Sequence, residues 1–161
     1  MYPWRASRDP YAVLVSEIML QQTQAARVVP VFVRFLGAFP SVASLAAAGR
    51  GDVVRAWAGL GYNRRAVALS EAARAIVRDH DGRVPADPQV LRTLPGVGPY
   101  TAAAVAALAF GAPVAAVDTN GAGSSRGSTS AWTRARSLRP ASESSPRRGW
   151  IQEIRGHGTR R

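Results

Sequence analysis

One short stretch constrains this chain more than any other. Leu94-Pro95-Gly96-Val97-Gly98-Pro99 is followed by a run of alanine, valine and leucine that reaches Phe110. Pro95 and the two glycines break one helix, and Pro99 presets the φ that suits the first position of the next. The spacing predicts two helical segments joined by a glycine hairpin, the second running from Tyr100 to about Phe110, buried and close-packed. A glycine hairpin that feeds a helix N-terminus leaves backbone N–H groups pointing outward with no side chain in the way, which suits a phosphate. Beyond the Gly111–Pro113 turn, the apolar run Val114–Val117 ends in a lone carboxylate, Asp118. Such a group is a helix cap or a catalytic residue.

Upstream, Asp9-Pro10 reads as cap and first turn of a helix whose core face is Tyr11, Leu14, Val15, Ile18 and Met19. Glu17 lies off that stripe, with Val13 one turn before it and Leu20 and Gln21 after. It is either an exposed helix carboxylate or a carboxyl held among apolar neighbours, which would raise its pKa toward that of a general acid. Gln21-Gln22-Thr23-Gln24 closes this helix with amides that suit base edges. A second helix is expected with Phe32, Phe35, Leu36 and Phe39 on one face and Pro30 in or near its first turn. Short helices start at Ser41 and near Gly51. Gly59-Leu60-Gly61-Tyr62-Asn63-Arg64-Arg65 reads as an ordinary loop, or as an aromatic wedge beside phosphate-binding charges. The helix after it, about 65–79, is expected to bury Ala66, Leu69, Ala73, Ile76 and Val77. Asp87-Pro88 starts the helix that leads into the hairpin. Nothing reads as a strand, so the fold class is all-α.

Charge narrows the partner. The net charge is +11, and all 21 basic residues are arginine, a balance that favours a polyanion such as nucleic acid. Residues 1–120 carry 12 Arg against 8 acidic residues, whereas residues 121–161 carry 9 against 2. Most of the excess therefore belongs to the C-terminal segment. There is no cysteine, hence no disulfide and no thiolate metal site, and the two histidines lack ligand spacing. The N-terminus has no apolar signal core, and Ala102–Phe110 is too short to span a bilayer. A soluble, cytoplasmic protein without membrane contact is expected.

Taken in order, Pro3-Trp4-Arg5, Ser16–Gln24, Gly59–Tyr62, Leu94–Thr101 and Val117–Asn120 closely resemble the helix–hairpin–helix DNA glycosylase superfamily, and within it the MutY-type adenine glycosylases. The resemblance covers residues 3–120. It implies a helical barrel and a bacterial, nucleoid-associated monomer acting on double-stranded DNA with a mismatch or lesion. The implied reaction is hydrolysis of the N-glycosidic bond of adenine paired with oxidised guanine, after the base is flipped out of the stack. Glu17 matches the family's general acid and Asp118 the carboxylate that stabilises the sugar cation. Tyr100 and Asn120 match residues that position this chemistry. Gln21 and Gln22 would meet the DNA with Tyr62, of which Gln22 and Tyr62 look like the wedge. Gly96, Val97 and Gly98 would grip the backbone.

Relatives that also cut the backbone need an amine, commonly a lysine where this chain has Tyr100. The chain has no lysine, so apart from the N-terminal amine a lyase is excluded. A thymine or uracil mismatch glycosylase is the alternative within the superfamily, and a non-catalytic DNA-binding remnant the alternative outside it. The Gln-Gln-Thr-Gln run favours the adenine enzyme.

After Asn120 the resemblance stops. The family continues with a basic helix, four cysteines for an iron–sulfur cluster and a further domain. Residues 121–161 are instead rich in Gly, Ser, Arg and Pro, for which disorder is the expectation. The expected organisation is a partial catalytic core over 1–120, its second lobe largely missing, with a tail over 121–161 produced by a frameshift or gene decay. It also implies no iron–sulfur cofactor and impaired activity.

Overall fold

The computed structural model describes residues 2–113. Asp118, Asn120, the boundary at 120 and the segment 121–161 lie outside the described residues. Among those described, eight helices and no strand are present: α1 (Pro3–Ala6), α2 (Pro10–Leu20), α3 (Ala25–Ala38), α4 (Val42–Ala47), α5 (Arg50–Ala56), α6 (Arg64–Asp79), α7 (Pro88–Leu91) and α8 (Pro99–Phe110). The fold is all-α, as the periodicity predicts.

Helix α2 is the hub, packing against α1, α3, α6 and α8. Asp9 caps it by accepting from the Tyr11 N–H at 3.2 Å, and Pro10 fills the first turn. More than one stripe is buried. Tyr11 through Ser16, Ile18 and Met19 are all buried, and Glu17 alone among residues 11–19 reaches the surface. A helix that is apolar all round belongs at the centre of a domain. The Tyr11 hydroxyl donates to Phe39 O at 2.8 Å, fastening α2 to the end of α3.

Phe32 and Phe35 of α3 pack edge-on against Trp4 (5.4 Å) and Trp57 (5.8 Å). Ser41 and Ser44 form a reciprocal capping box at the start of α4. Helix α8 ends at Gly111 (φ 69°), with the Ala112 N–H returning to Ala106 O at 3.0 Å.

Three expectations need correction. Pro30 lies inside α3 rather than in its first turn, because the helix starts five residues earlier at Ala25 with Gln24 as cap. Val77 is 41% exposed, since Ile76 and Ala73 turn the inner face of α6 away from it. Helix α8 buries Thr101, Ala102, Ala104, Val105 and Ala106, but Tyr100 and Phe110 are exposed at its ends.

The arginines are also not all surface charge. Arg34 donates to Ala56 O and Ala58 O at the end of α5, and Arg74 donates to Ala46 O and Ala48 O at the end of α4. Each cation thus satisfies orphan carbonyls at the negative end of a helix.

Candidate nucleic-acid interface and catalytic carboxyl

The hairpin is built by turn chemistry. The Val97 N–H closes on Leu94 O at 3.1 Å, and Gly96 sits at φ 76°. Leu94 and Val97 are buried, so the turn is pinned by side chains on both sides of Gly96. Val97 therefore offers DNA neither its side chain nor its N–H. Gly96 and Gly98 are exposed, and their N–H groups donate to nothing among the described residues. They stand at the N-terminus of α8, where the helix dipole favours an anion.

The polar cluster at the end of α2 divides in two. Gln21 turns inward: its Nε2 donates to Gly96 O at 3.2 Å and to Thr101 Oγ1 at 3.1 Å. Both donors of the amide are thus occupied by the hairpin and the first turn of α8. Gln22 is exposed, with φ 55°. Tyr62 is exposed as well, at 59% and φ 48°. Glutamine and tyrosine seldom take this left-handed conformation, which costs such residues about 1–2 kcal/mol.

Glu17 precedes Gln21 by one helical turn, so the two side chains share a face of α2. The carboxyl sits in the one gap of the buried run 11–19. Burial pushes its pKa from the ordinary 4.5 up to about 7, against the opposing pull of the Arg5 guanidinium. A carboxyl of that kind is partly protonated near neutrality and can donate a proton. Tyr100 is 40% exposed at the start of α8, two residues beyond Gly98.

Arg64 and Arg65 do not act alike, contrary to the reading of both as phosphate-binding charges. Arg64 is exposed and Arg65 is buried. Arg65 donates to the Ile18, Met19 and Gln21 carbonyls, to Thr23 Oγ1 and to the Leu60 and Gly61 carbonyls. Burial lowers its pKa, but with six acceptors around it the guanidinium stays charged. Its position three residues after Tyr62 is the signal that could have found it. Arg5 and Thr101 were likewise visible only as parts of motifs.

No group of three or more His, Cys, Asp or Glu among the described residues is placed to hold a metal ion. The whole chain has no cysteine, so it carries no thiolate for an iron–sulfur cluster. No helix among the described residues is long and apolar enough to cross a membrane.

The family profile for the HhH-GPD superfamily of base excision DNA repair proteins matches residues 15–137. An adenine DNA glycosylase of Mycobacterium tuberculosis is 50% identical over 119 residues, covering 73% of this chain and 39% of that protein. The chain thus spans about two fifths of the length of this relative. A thermostable thymine-DNA glycosylase superposes with a TM-score of 0.70 at 38% identity, over 74% of this chain and 56% of that one. An endonuclease III in a non-covalent complex with DNA superposes with a TM-score of 0.66 at 29% identity, over 70% and 53%.

Proposed function

The chain belongs to the HhH-GPD superfamily of base excision DNA repair proteins, and we propose that it carries the catalytic core of a monofunctional adenine DNA glycosylase. The observation that carries this reading is Glu17. Its carboxyl, pushed up to about 7, stands one turn from the Gln21 amide that is tied to the hairpin. Glu17 protonates the departing adenine and then, as carboxylate, helps activate water, a role that contributes on the order of 10²–10⁴ in rate. Asp118 stabilises the positive charge that develops on the sugar. Tyr100 and Asn120 position this chemistry.

Double-stranded DNA is the partner. Gly96 and Gly98 hold a phosphate through their N–H groups, while Gln22 and Tyr62 enter the stack beside the flipped base. The absence of lysine supports hydrolysis without strand cleavage. The likeness to a thymine-DNA glycosylase supports a second reading, thymine or uracil removal.

The test presents duplexes with adenine opposite oxidised guanine, and with thymine or uracil opposite guanine, to the chain and to its Glu17→Gln variant. Adenine release that disappears in Glu17→Gln, with binding retained, is expected. Release from the thymine or uracil duplex alone would transfer the assignment to the second reading. Binding without release from any duplex would leave a DNA-binding protein.

A further inference from the structure

Among the described residues, three that are not glycine have positive φ: Gln22, Tyr62 and Asp81. Aspartate tolerates the left-handed region, and Asp81 lies beside Gly82 where α6 ends. Gln22 and Tyr62 have no such excuse. A strained residue persists only where its surroundings over-determine it. The two lie forty residues apart, and the same side chain holds both turns.

That side chain is Arg65. One terminal nitrogen, Nη1, donates to Gln21 O, directly before Gln22, and to Met19 O at 3.2 Å and Ile18 O at 3.3 Å. The other, Nη2, donates to Thr23 Oγ1, directly after Gln22, at 3.0 Å. Nη2 also reaches Gly61 O, directly before Tyr62, at 3.5 Å, and Leu60 O at 3.4 Å. The guanidinium lies over the Tyr62 ring at 5.5 Å and the Trp57 ring at 5.7 Å. Trp57 Nε1 adds a bond to Gly61 O at 3.2 Å. The planar fork thus holds the residues on either side of Gln22 and the residue directly before Tyr62. Its Nε is buried without a partner, so the group sits there for what its two ends reach.

We propose that Arg65 is a positioning residue: a buried bracket that sets the spacing of Gln22 and Tyr62, so that the two turns enter one base stack as a single rigid wedge. The proposal rests on the reading of those two residues as the wedge. A plain helix cap on α2 would need only the Ile18, Met19 and Gln21 carbonyls. The reach across to Leu60, Gly61 and Tyr62 is what a bracket requires and a cap does not.

The test uses Arg65→Met, which keeps the stem and removes the fork. It also uses Arg65→Lys, whose single ammonium cannot span both turns, in case the first variant does not fold. In the free protein, amide hydrogen exchange is expected to speed up at residues 21–24 and 59–63 together, with residues 94–98 unchanged. With DNA, the preference for an adenine–oxidised guanine duplex over a matched duplex is expected to fall about tenfold, or about 1.4 kcal/mol. Adding Tyr62→Ala to Arg65→Met should then cost little more, because the wedge is already lost. Loosening of one turn alone overturns the bracket. So does a variant that keeps the preference shown by the unmodified chain. An unmodified chain with no preference at all would instead remove the wedge reading, and the functional half of the proposal with it.

Discussion

A Cβ placed on Gly96 would stand 2.9 Å from the Cβ of Ala68 on α6. The hairpin therefore rests directly on that helix, and Gly96 is required twice, by its φ of 76° and by space. Gly96→Ala is expected to cost about 2–4 kcal/mol in urea unfolding, from strain and overpacking together. Ala68→Gly in the same chain should return only part of this, because it relieves the clash and leaves the left-handed backbone. Full recovery would show that contact alone selects glycine here.

Glu17 makes stability depend on pH with a definite sign. The unfolded carboxyl releases its proton near 4.5 and the folded one near about 7. Between these values the folded chain holds more protons, so stability falls as pH rises through the window and levels off above it. The loss is on the order of 3 kcal/mol at most. Glu17→Gln should match the unmodified chain at pH 4 and exceed it at pH 8 in thermal melts. Equal stability at both pH values would show that the carboxyl is not held by burial.

Under the proposed function, the same titration is expected to govern the rate. Base release that needs protonated Glu17 should decline as pH rises past about 7. The Arg5 guanidinium pulls this carboxyl down, so Arg5→Met is expected to move the decline to higher pH. A single-turnover pH profile with no decline up to pH 9 would remove Glu17 as the acid.

Gln22→Gly separates stability from function. Glycine adopts φ 55° without the penalty of about 1–2 kcal/mol that a side chain incurs, and loses about 0.5–1 kcal/mol in backbone entropy. Folding stability should stay level or rise by about 1 kcal/mol, while affinity for a lesion duplex drops. Such an exchange is usual where strain is kept for function. A clear loss of stability instead would mean that the Gln22 side chain holds the turn.

Arg34→Met tests the arginines that cap helices. Arg34 Nη2 reaches Ala56 O at 3.2 Å and Ala58 O at 2.5 Å on an exposed face. Its loss should lower the urea midpoint by an amount equivalent to about 0.5–1.5 kcal/mol and leave DNA affinity nearly unchanged. A large fall in affinity with no change in midpoint would assign Arg34 to the DNA surface instead.

Much of this was written locally. Asp9-Pro10, Ser41, Asp87-Pro88 and the glycines of the hairpin set helix starts and turns through bonds that span a few residues, so their positions could be read from spacing. The core face of α3 followed from a 3.6-residue period for the same reason, whereas α2 is buried beyond the single stripe that its period marks, because helices pack on several of its sides. Glu17 stood out as a carboxyl off an apolar stripe, although its two alternatives could not be separated there. Its pKa depends on how completely α1, α3, α6 and α8 surround α2, and that is a property of packing. Arg64 and Arg65 were alike as residues in a line, and only the arrival of the α2 C-terminus beside the 59–62 turn made one a buried bracket and left the other exposed. Gln21 and Gln22 divided in the same way, one drawn to Gly96 and Thr101, the other turned outward by its backbone. The chain by itself determined where helices begin, end and bury their faces, because those choices rest on neighbours in sequence. Which polar side chains serve the fold and which remain for a ligand was decided by contacts across about 40 to 80 residues, among them the carbonyls left open at the end of α2 that found a donor on α6.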